Sequence, residues 1–342
     1  MDEATVRTTV ISGPPEAVCP ACRGQLALTG TVLACTACRR GFALVAGIPD
    51  LRLTADAEDV ARARWLEEQF DQFDFVGLLR ETSLRGTLPP NLFRRVVARQ
   101  QTLEAASVAS LQALDNERGT AVGGSDRFLE IGCGTGALST TVAARGAQVV
   151  ATDMSLAGLV LAKKRSLEAR ITSVRFVCCA GEALAFPPES FDIVAAGDVI
   201  EHTRRQRDLL AACRTVLAPR GILFLATPNR FSLSLEPHVR LWGIGFLPRG
   251  VARRYVHARR KVHYDIYSLS ARQLRALLTS QGFTARIVSP EIPHATMALY
   301  TGVELRLVRA YNRLRRMRFA RPLLLAVGPF YHVFARRAGD SA

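Results

Sequence analysis

The stretch Phe128-Leu129-Glu130-Ile131-Gly132-Cys133-Gly134-Thr135-Gly136 constrains this chain more than any other. An apolar run ends in a turn with glycine at every second position, and an acidic residue stands just before it. Glycine has no Cβ and tolerates positive φ, so a strand ending at Ile131 can turn sharply through Gly132, Gly134 and Gly136 and let a ligand lie on bare backbone. A helix is expected from about Ala137. The segment reads as a loop for a nucleotide-type cofactor, but the order E-x-G-x-G-x-G differs from the G-x-G-x-x-G of dinucleotide binders, whose helix N-terminus faces a pyrophosphate. Glu130 would repel a pyrophosphate and suits a cationic ligand.

At this point the segment resembles the first motif of class I S-adenosylmethionine (SAM) methyltransferases, in which the acidic residue serves the amino-acid end of a sulfonium cofactor. Further segments follow in that family's order. Gln148 to Asp153 reads as a second strand ending in a carboxylate, which the resemblance places on the ribose hydroxyls. Leu184 to Asp192 looks like the loop into the fourth strand, Ile193 to Ala196, and Asp198-Val199-Ile200-Glu201-His202 follows it. Val216 to Asn229 resembles the turn and fifth strand. The family often carries an acidic residue for the adenine amino group at the place of Ala180, where this chain offers Glu182 nearby. The resemblance therefore implies a cofactor set of Glu130, Gly132, Cys133, Gly134, Gly136, Asp153, Met154, Gly181, Glu182, Ala183 and Asp198. It also implies a Rossmann-like α/β domain with a seven-stranded sheet and helices on both faces.

Near the N-terminus, Cys19, Cys22, Cys35 and Cys38 form a C-x2-C-x12-C-x2-C pattern. Two such knuckles can bring four thiolates into the closed tetrahedron of structural Zn²⁺, and a site with no open position is not catalytic. So short a segment cannot bury an adequate core, and a metal would supply folding energy instead. Disulfides are the competing reading. No secretory signal precedes these cysteines, and the enzyme-like remainder points to a reducing cytosol. With its continuation to Leu51 the segment resembles zinc ribbons that accompany methyltransferases, in a scaffold or substrate-docking role.

The organisation expected is a flexible tail over 1–18 containing Gly13-Pro14-Pro15, a zinc ribbon over 19–54, helices over 55–118 and the catalytic domain over 119–342. The helices read equally as a lid over the cofactor or as a spacer. Within the domain, 228–267 is where relatives place acceptor-binding elements, and 289–328 is a helical insertion between the last two strands. Cys178, Cys179 and Cys213 lie in apolar runs and read as core. No apolar run is long enough to span a bilayer.

The net charge of +15 is unevenly spread: from Arg240 onward nineteen Lys and Arg face four Asp and Glu, so the part before it is neutral. A helix is expected over Glu304 to Arg318, with Val303, Leu307, Tyr311 and Leu314 on one face and Arg306, Arg309, Arg313 and Arg316 on another. Such a helix reads as a face for an anionic membrane or an amphiphilic substrate, for RNA, or as a solvated arginine face over a packed apolar one. The expected location is accordingly cytoplasmic, with a peripheral membrane role in the first of these readings. Nothing in the sequence fixes an oligomeric state.

Methyl transfer from a sulfonium is an in-line displacement, so the protein positions donor and acceptor and removes the acceptor's proton. His202 is the leading base, with Glu201 beside it and His238 and His263 as secondary candidates. Asp198, Glu201 and His202 also resemble the E-x-x-E-H metal pattern of ubiquinone-pathway O-methyltransferases, where Mg²⁺ would lower a hydroxyl's pKa. The alternative for Glu201-His202 is a capping and packing pair at a helix start.

The favoured function is methylation of a small-molecule acceptor, a hydroxyl of an apolar, isoprenoid-like or glycosylated intermediate. An rRNA or tRNA methyltransferase is the second reading, since zinc ribbons also precede the catalytic domain of large-subunit rRNA guanine methyltransferases. Their fourth ligand is usually His, where this chain has Cys38, and the Asn-Pro-Pro-Tyr-type motif is missing. The third reading is a SAM-binding scaffold without turnover.

Overall fold

The computed structural model describes residues 17–30, 32–82, 90–297 and 300–340. Most of the expected tail, including Gly13-Pro14-Pro15, lies outside the described residues. Ala17 and Val18 belong to the fold: Ala17 is buried, and Val18 bridges to Gln25 and donates its N–H to Ala185 O.

The cysteine-rich segment forms four antiparallel strands, β1 (Leu26–Thr29), β2 (Val32–Cys35), β3 (Gly41–Val45) and β4 (Ile48–Pro49). It is packed on the larger sheet, with Leu33, Phe42 and Leu51 in one buried cluster with Leu184, Phe186 and Phe191. Three helices follow: α1 (Ala57–Glu68), α2 (Phe75–Thr82) and α3 (Pro90–Arg118).

The larger sheet is built by β5 (Arg127–Ile131), β6 (Gln148–Asp153), β7 (Arg175–Cys178), β8 (Phe191–Gly197), β9 (Leu217–Pro228), β10 (Phe283–Val288) and β11 (Phe330–Arg337), in the order β10-β11-β9-β8-β5-β6-β7. The first five strands pair in parallel. Their runs of Val, Ile, Leu, Phe and Ala are buried on both faces, as a sheet covered by helices on each side requires. β11 is antiparallel to both of its neighbours.

The covering helices are α4 (Ala137–Ala143), α5 (Leu156–Glu168), α6 (Gln206–Val216) and α8 (Ala271–Ser280); α7 (Arg249–Arg260) lies in the segment after β9. Ser270 and Gln273 start α8 with a reciprocal capping box. Because chain order reverses on either side of β5, the carboxyl ends of β5 and β8 flank a crevice, the usual ligand position of open α/β sheets.

Between β10 and β11 stand α9 (His294–Met297), α10 (Gly302–Leu314) and α11 (Arg321–Val327). The expected helix to Arg318 stops at Leu314, and its packed face differs from the one the spacing suggests. Val308, Tyr311 and Asn312 are buried, whereas Val303 and Leu307 face solvent. Polar bonds fix this rotation: Tyr311 Oη donates to Pro290 O (2.7 Å), and the Asn312 side chain donates to Ile292 O (2.8 Å) and accepts from Ile292 N (3.1 Å). Hydrophobic spacing alone carries no information about such bonds.

Candidate active site

The glycine loop follows β5 directly. Gly132, Gly134 and Gly136 all have positive φ (70°, 53° and 73°). A Cβ on Gly132 would lie 2.4 Å from Val199 Cγ2 and one on Gly136 2.9 Å from Ala162 Cβ, so these two glycines permit close packing. At Gly134 a Cβ would meet nothing, and this is the place where bare backbone faces open space.

Asp153, at the end of β6, accepts from Gly134 N through Oδ2 and from Ser155 N through Oδ1, both at 2.8 Å. Burial raises its pKa against these bonds. A carboxylate has about four lone-pair positions, so acceptor capacity remains for a ribose diol in front of the loop. Glu130 is buried behind the loop, where Ser139 Oγ of α4 donates to it. Burial, opposed by Ser139 and helped by the charge of Asp153, pushes its pKa up to about 7.

Met154 presents an exposed side chain beside Asp153. Gly181, Glu182 and Ala183 form a short 3-10 turn after β7, with Gly181 packed too closely on Leu209 and Ile131 to admit a Cβ. Cys133 is buried within the loop, and burial raises its thiol pKa. Open backbone at Gly134, a carboxylate with spare acceptor capacity and an apolar neighbour in Met154 fit the ribose and adenine of a nucleoside cofactor.

Two neighbouring parts brace the loops after β5, β6 and β7 from outside the sheet. Gln100 Oε1 of α3 accepts from Thr135 Oγ1 (2.8 Å) and from Arg165 Nη2 (2.7 Å). Arg52, just after β4, is held on Asp50 by two bonds of 2.6 and 2.7 Å. It also donates to Asp59 Oδ2 and to Met154 O, each at 2.7 Å. Asp59 in turn accepts from Ser155 Oγ, Leu156 N and Ala157 N at the start of α5. Arg23, between two cysteines, donates to Leu184 O and Phe186 O after the 3-10 turn. Sequence reasoning missed Arg23, Arg52, Asp59 and Gln100, because each acts across a long separation with no local pattern.

In the ribbon, the cysteine sulfurs lie 3.7 Å apart for Cys19 and Cys38 and 3.4 Å for Cys22 and Cys35, and all four fall within 4.8 Å of one another. A tetrahedral site with Zn–S bonds of about 2.3 Å has sulfur–sulfur edges of about 3.8 Å. The four residues therefore fit the metal. Cys38 N–H donates to Cys35 Sγ (3.4 Å) and draws that thiol down to about 6. None of the eight cysteines is joined in a disulfide.

The candidate catalytic residues meet after β8. Glu201 is fully buried. Its Oε2 accepts from Thr227 Oγ1 (3.0 Å) and its Oε1 has no partner among the described residues. Burial and then the nearby charge of Asp198 push its pKa up to about 7. His202 and His238 approach Nε2 to Nε2 at 3.0 Å. His238 Nδ1 lies 2.6 Å from Glu236 Oε1, and Glu236 Oε2 accepts from the backbone N–H of His238 and Val239. The Glu236 hydrogen bond raises the His238 pKa, whereas burial and then the His238 charge lower that of His202.

Glu236 was not singled out in the sequence; the Glu-x-His spacing before His238 was the available signal. The helix-start reading of Glu201-His202 does not hold, since α6 begins at Gln206 with Arg205 as its cap. His263 is exposed, stacks near His257 and does not join the cluster.

Asp198 has positive φ (53°) and donates its backbone N–H to Ala226 O. Its carboxyl pKa is raised by burial in the crevice, although the residue as a whole remains open to solvent. It is not part of the group that could converge on one ion. That group is Glu201, His202 and His238. Two imidazoles and one carboxylate are a poor donor set for Mg²⁺, which prefers an octahedron of oxygens. The expected Asp198–Glu201–His202 Mg²⁺ site does not fit this arrangement.

A cavity formed mostly by the 228–267 segment is lined in part by Arg230, Glu236, Ile244 and Tyr264.

Residues 129–225 match the family described as "Methyltransferase domain". Among curated proteins, the chain is similar to a ubiquinone biosynthesis O-methyltransferase of Parvibaculum lavamentivorans, 36% identical over 129 residues, covering 36% of this chain and 49% of that protein. It is also similar to one of Burkholderia orbicola, 42% identical over 105 residues, covering 30% and 45%. The chain thus spans about half the length of the curated relatives it matches. A solved SAM-dependent methyltransferase from Mesorhizobium loti aligns with a TM-score of 0.46 at 18% identity, covering 65% of this chain and 95% of that one. The match over 129–225 takes in the glycine loop, Asp153 and the Asp198–His202 stretch, so this part of the chain matches a methyltransferase domain, and it stands behind a four-cysteine ribbon.

Proposed function

We propose that the protein transfers the methyl group of SAM to a hydroxyl of a small apolar acceptor, isoprenoid-like or glycosylated. The supporting observation is the hydrogen-bonded series Glu236–His238–His202 beside the crevice, together with similarity to O-methyltransferases of ubiquinone biosynthesis.

When bound, SAM supplies an electrophilic methyl group on a positively charged sulfur. Asp153 would hold the ribose, Met154 and the Gly181–Ala183 turn the adenine, and the backbone at Gly134 the amino-acid end. With Glu236 accepting from His238 Nδ1–H, His238 Nε2 accepts from His202 Nε2–H, which leaves the lone pair of His202 Nδ1 for the acceptor's hydroxyl proton. His202 Nδ1 would take up the acceptor's hydroxyl proton, while bound SAM would supply the methyl group to the hydroxyl oxygen and be left as a neutral thioether. The imidazolium formed on His202 is then stabilised through His238 by Glu236. The segment 228–267 would hold the acceptor, with α3 as a cover anchored at Gln100.

Cys19, Cys22, Cys35 and Cys38 would hold one Zn²⁺ as a cross-link with no chemical step. In this reading the ribbon braces the cofactor loop through Arg23 and Arg52.

A cell extract incubated with SAM labelled in its methyl group, with small molecules and RNA analysed separately by mass spectrometry, tests this. The expected result is label in an apolar small molecule, absent with His202→Ala. Label in RNA alone would overturn it.

A further inference from the structure

We infer that the exposed side of the insertion between β10 and β11 is a docking face for an anionic lipid bilayer. The inference goes beyond the methyl-transfer reading and does not depend on it.

Four large apolar side chains stand out from this insertion: Val303 (62% exposed), Leu307 (64%), Phe319 (80%) and Leu323 (58%). Val303 and Leu307 are one turn apart on α10, and Leu314, seven residues further on, continues the same stripe. The stripe is not the packed side of the helix, which is turned inward by the Tyr311 and Asn312 hydrogen bonds. Several large apolar groups exposed within one short insertion often mark a contact surface.

The unpaired charge beside this stripe is of one sign. Arg306, Arg309, Arg313, Arg316, Arg318 and Arg321 are exposed, and none lies within 4.0 Å of a carboxylate among the described residues. The two acidic residues of the region are already committed, Glu291 to Arg315 at 2.7 Å and Glu304 to Arg240 at 3.3 Å.

Apolar groups beside unpaired arginines match the two layers of an anionic bilayer surface, acyl chains below and phosphates above. RNA would use the arginines and leave the apolar stripe without a role. Among the described residues no helix is long and apolar enough to cross a membrane, so the contact is with one leaflet. The acceptor segment is fastened to the same insertion by Leu233 N to Val327 O (3.1 Å) and by Arg240 to Glu304, and it carries Trp242, 62% exposed. Aromatic rings of this kind favour the headgroup level.

Co-sedimentation of the full chain with vesicles of phosphatidylcholine alone, or mixed with phosphatidylglycerol, tests the inference. The wild type should pellet with the mixed vesicles only. Leu307→Ser with Phe319→Ser should lower partitioning about tenfold or more. Arg309→Gln, Arg313→Gln and Arg316→Gln should each lower it about fivefold. Arg272→Gln with Arg275→Gln, exposed on α8, should leave it unchanged.

Unchanged SAM affinity and melting temperature establish that the variants are folded. As an independent reading, the added fluorescence of Leu307→Trp should shift to the blue on mixed vesicles. The inference is overturned if the wild type stays in the supernatant. It is also overturned if only the arginine changes matter and homopolymeric RNA competes the protein off the vesicles, or if Leu307→Trp shows no shift.

Discussion

His202 and His238, thirty-six residues apart in the chain, meet Nε2 to Nε2 at 3.0 Å with their rings nearly perpendicular, at 83°. Glu236 holds the far nitrogen of His238. With His238 neutral, as the proposed mechanism has it, the arrangement gives His202 its Nε2–H tautomer and links its positive charge through His238 to Glu236.

Replacing His202 by Ala is expected to lower turnover by about 10²–10⁴-fold, the usual contribution of a general base, with little change in SAM affinity. Steady-state kinetics beside titration calorimetry separate the two quantities. Activity within a few-fold of wild type would leave positioning as the main effect.

Glu236→Gln should act through His238 and not on SAM. Glu236 raises the His238 pKa, so its removal makes a proton on the histidine pair less stable. Turnover should fall by about tenfold or more. The acid limb of the rate profile should shift, because Glu236 bears on the pKa of both histidines. Glu236→Asp should restore part of the rate. An unmoved profile would make Glu236 merely structural.

Asp153→Ala removes the acceptor of Gly134 N as well as the proposed ribose partner. SAM affinity should drop by about two orders of magnitude, as the loss of charged hydrogen bonds of roughly 1.5–3 kcal/mol implies. Unchanged affinity by calorimetry would remove Asp153 from the cofactor site.

Zinc should be present at one ion per chain in protein purified without chelator, and Cys19→Ser or Cys38→Ser should lose it. Since Arg23 and Arg52 carry the ribbon's contacts to Leu184, Phe186 and Met154, loss of the metal should also weaken SAM binding. Elemental analysis and calorimetry on the same samples check both parts; metal loss with intact SAM affinity would uncouple the ribbon from the loop.

Glu130 gives a stability prediction with a definite sign. Its folded pKa is raised to about 7 from an ordinary 4.5, because the buried carboxyl prefers to be neutral. The folded state is therefore favoured below pH 4.5, and this contribution is lost as pH rises through 7, an effect of about 3 kcal/mol. Glu201 titrates in the same window and adds to the trend. Thermal unfolding of Glu130→Gln should show a smaller fall in stability between pH 5 and pH 8 than wild type. An identical fall would show that Glu130 is charged in the folded protein.

Much of the catalytic domain was legible in the sequence because its signals are local. An apolar strand, alternate glycines and a strand-end carboxylate are properties of neighbouring residues, and the expected Gln148–Asp153 is a strand of the structure. The cysteine spacing was equally local. Tertiary structure alone decided which histidine joins His202, since a hydrogen bond between residues thirty-six apart depends on how the segment after β9 folds back. It likewise excluded Asp198 from the converging group and left His263 outside. The rotation of α10 shows the same limit: its apolar spacing allowed one buried face, but Tyr311 and Asn312 found backbone partners on another strand-end loop and turned Leu307 outward. A periodic pattern records which faces a helix has, whereas the surface it meets determines which of them is covered.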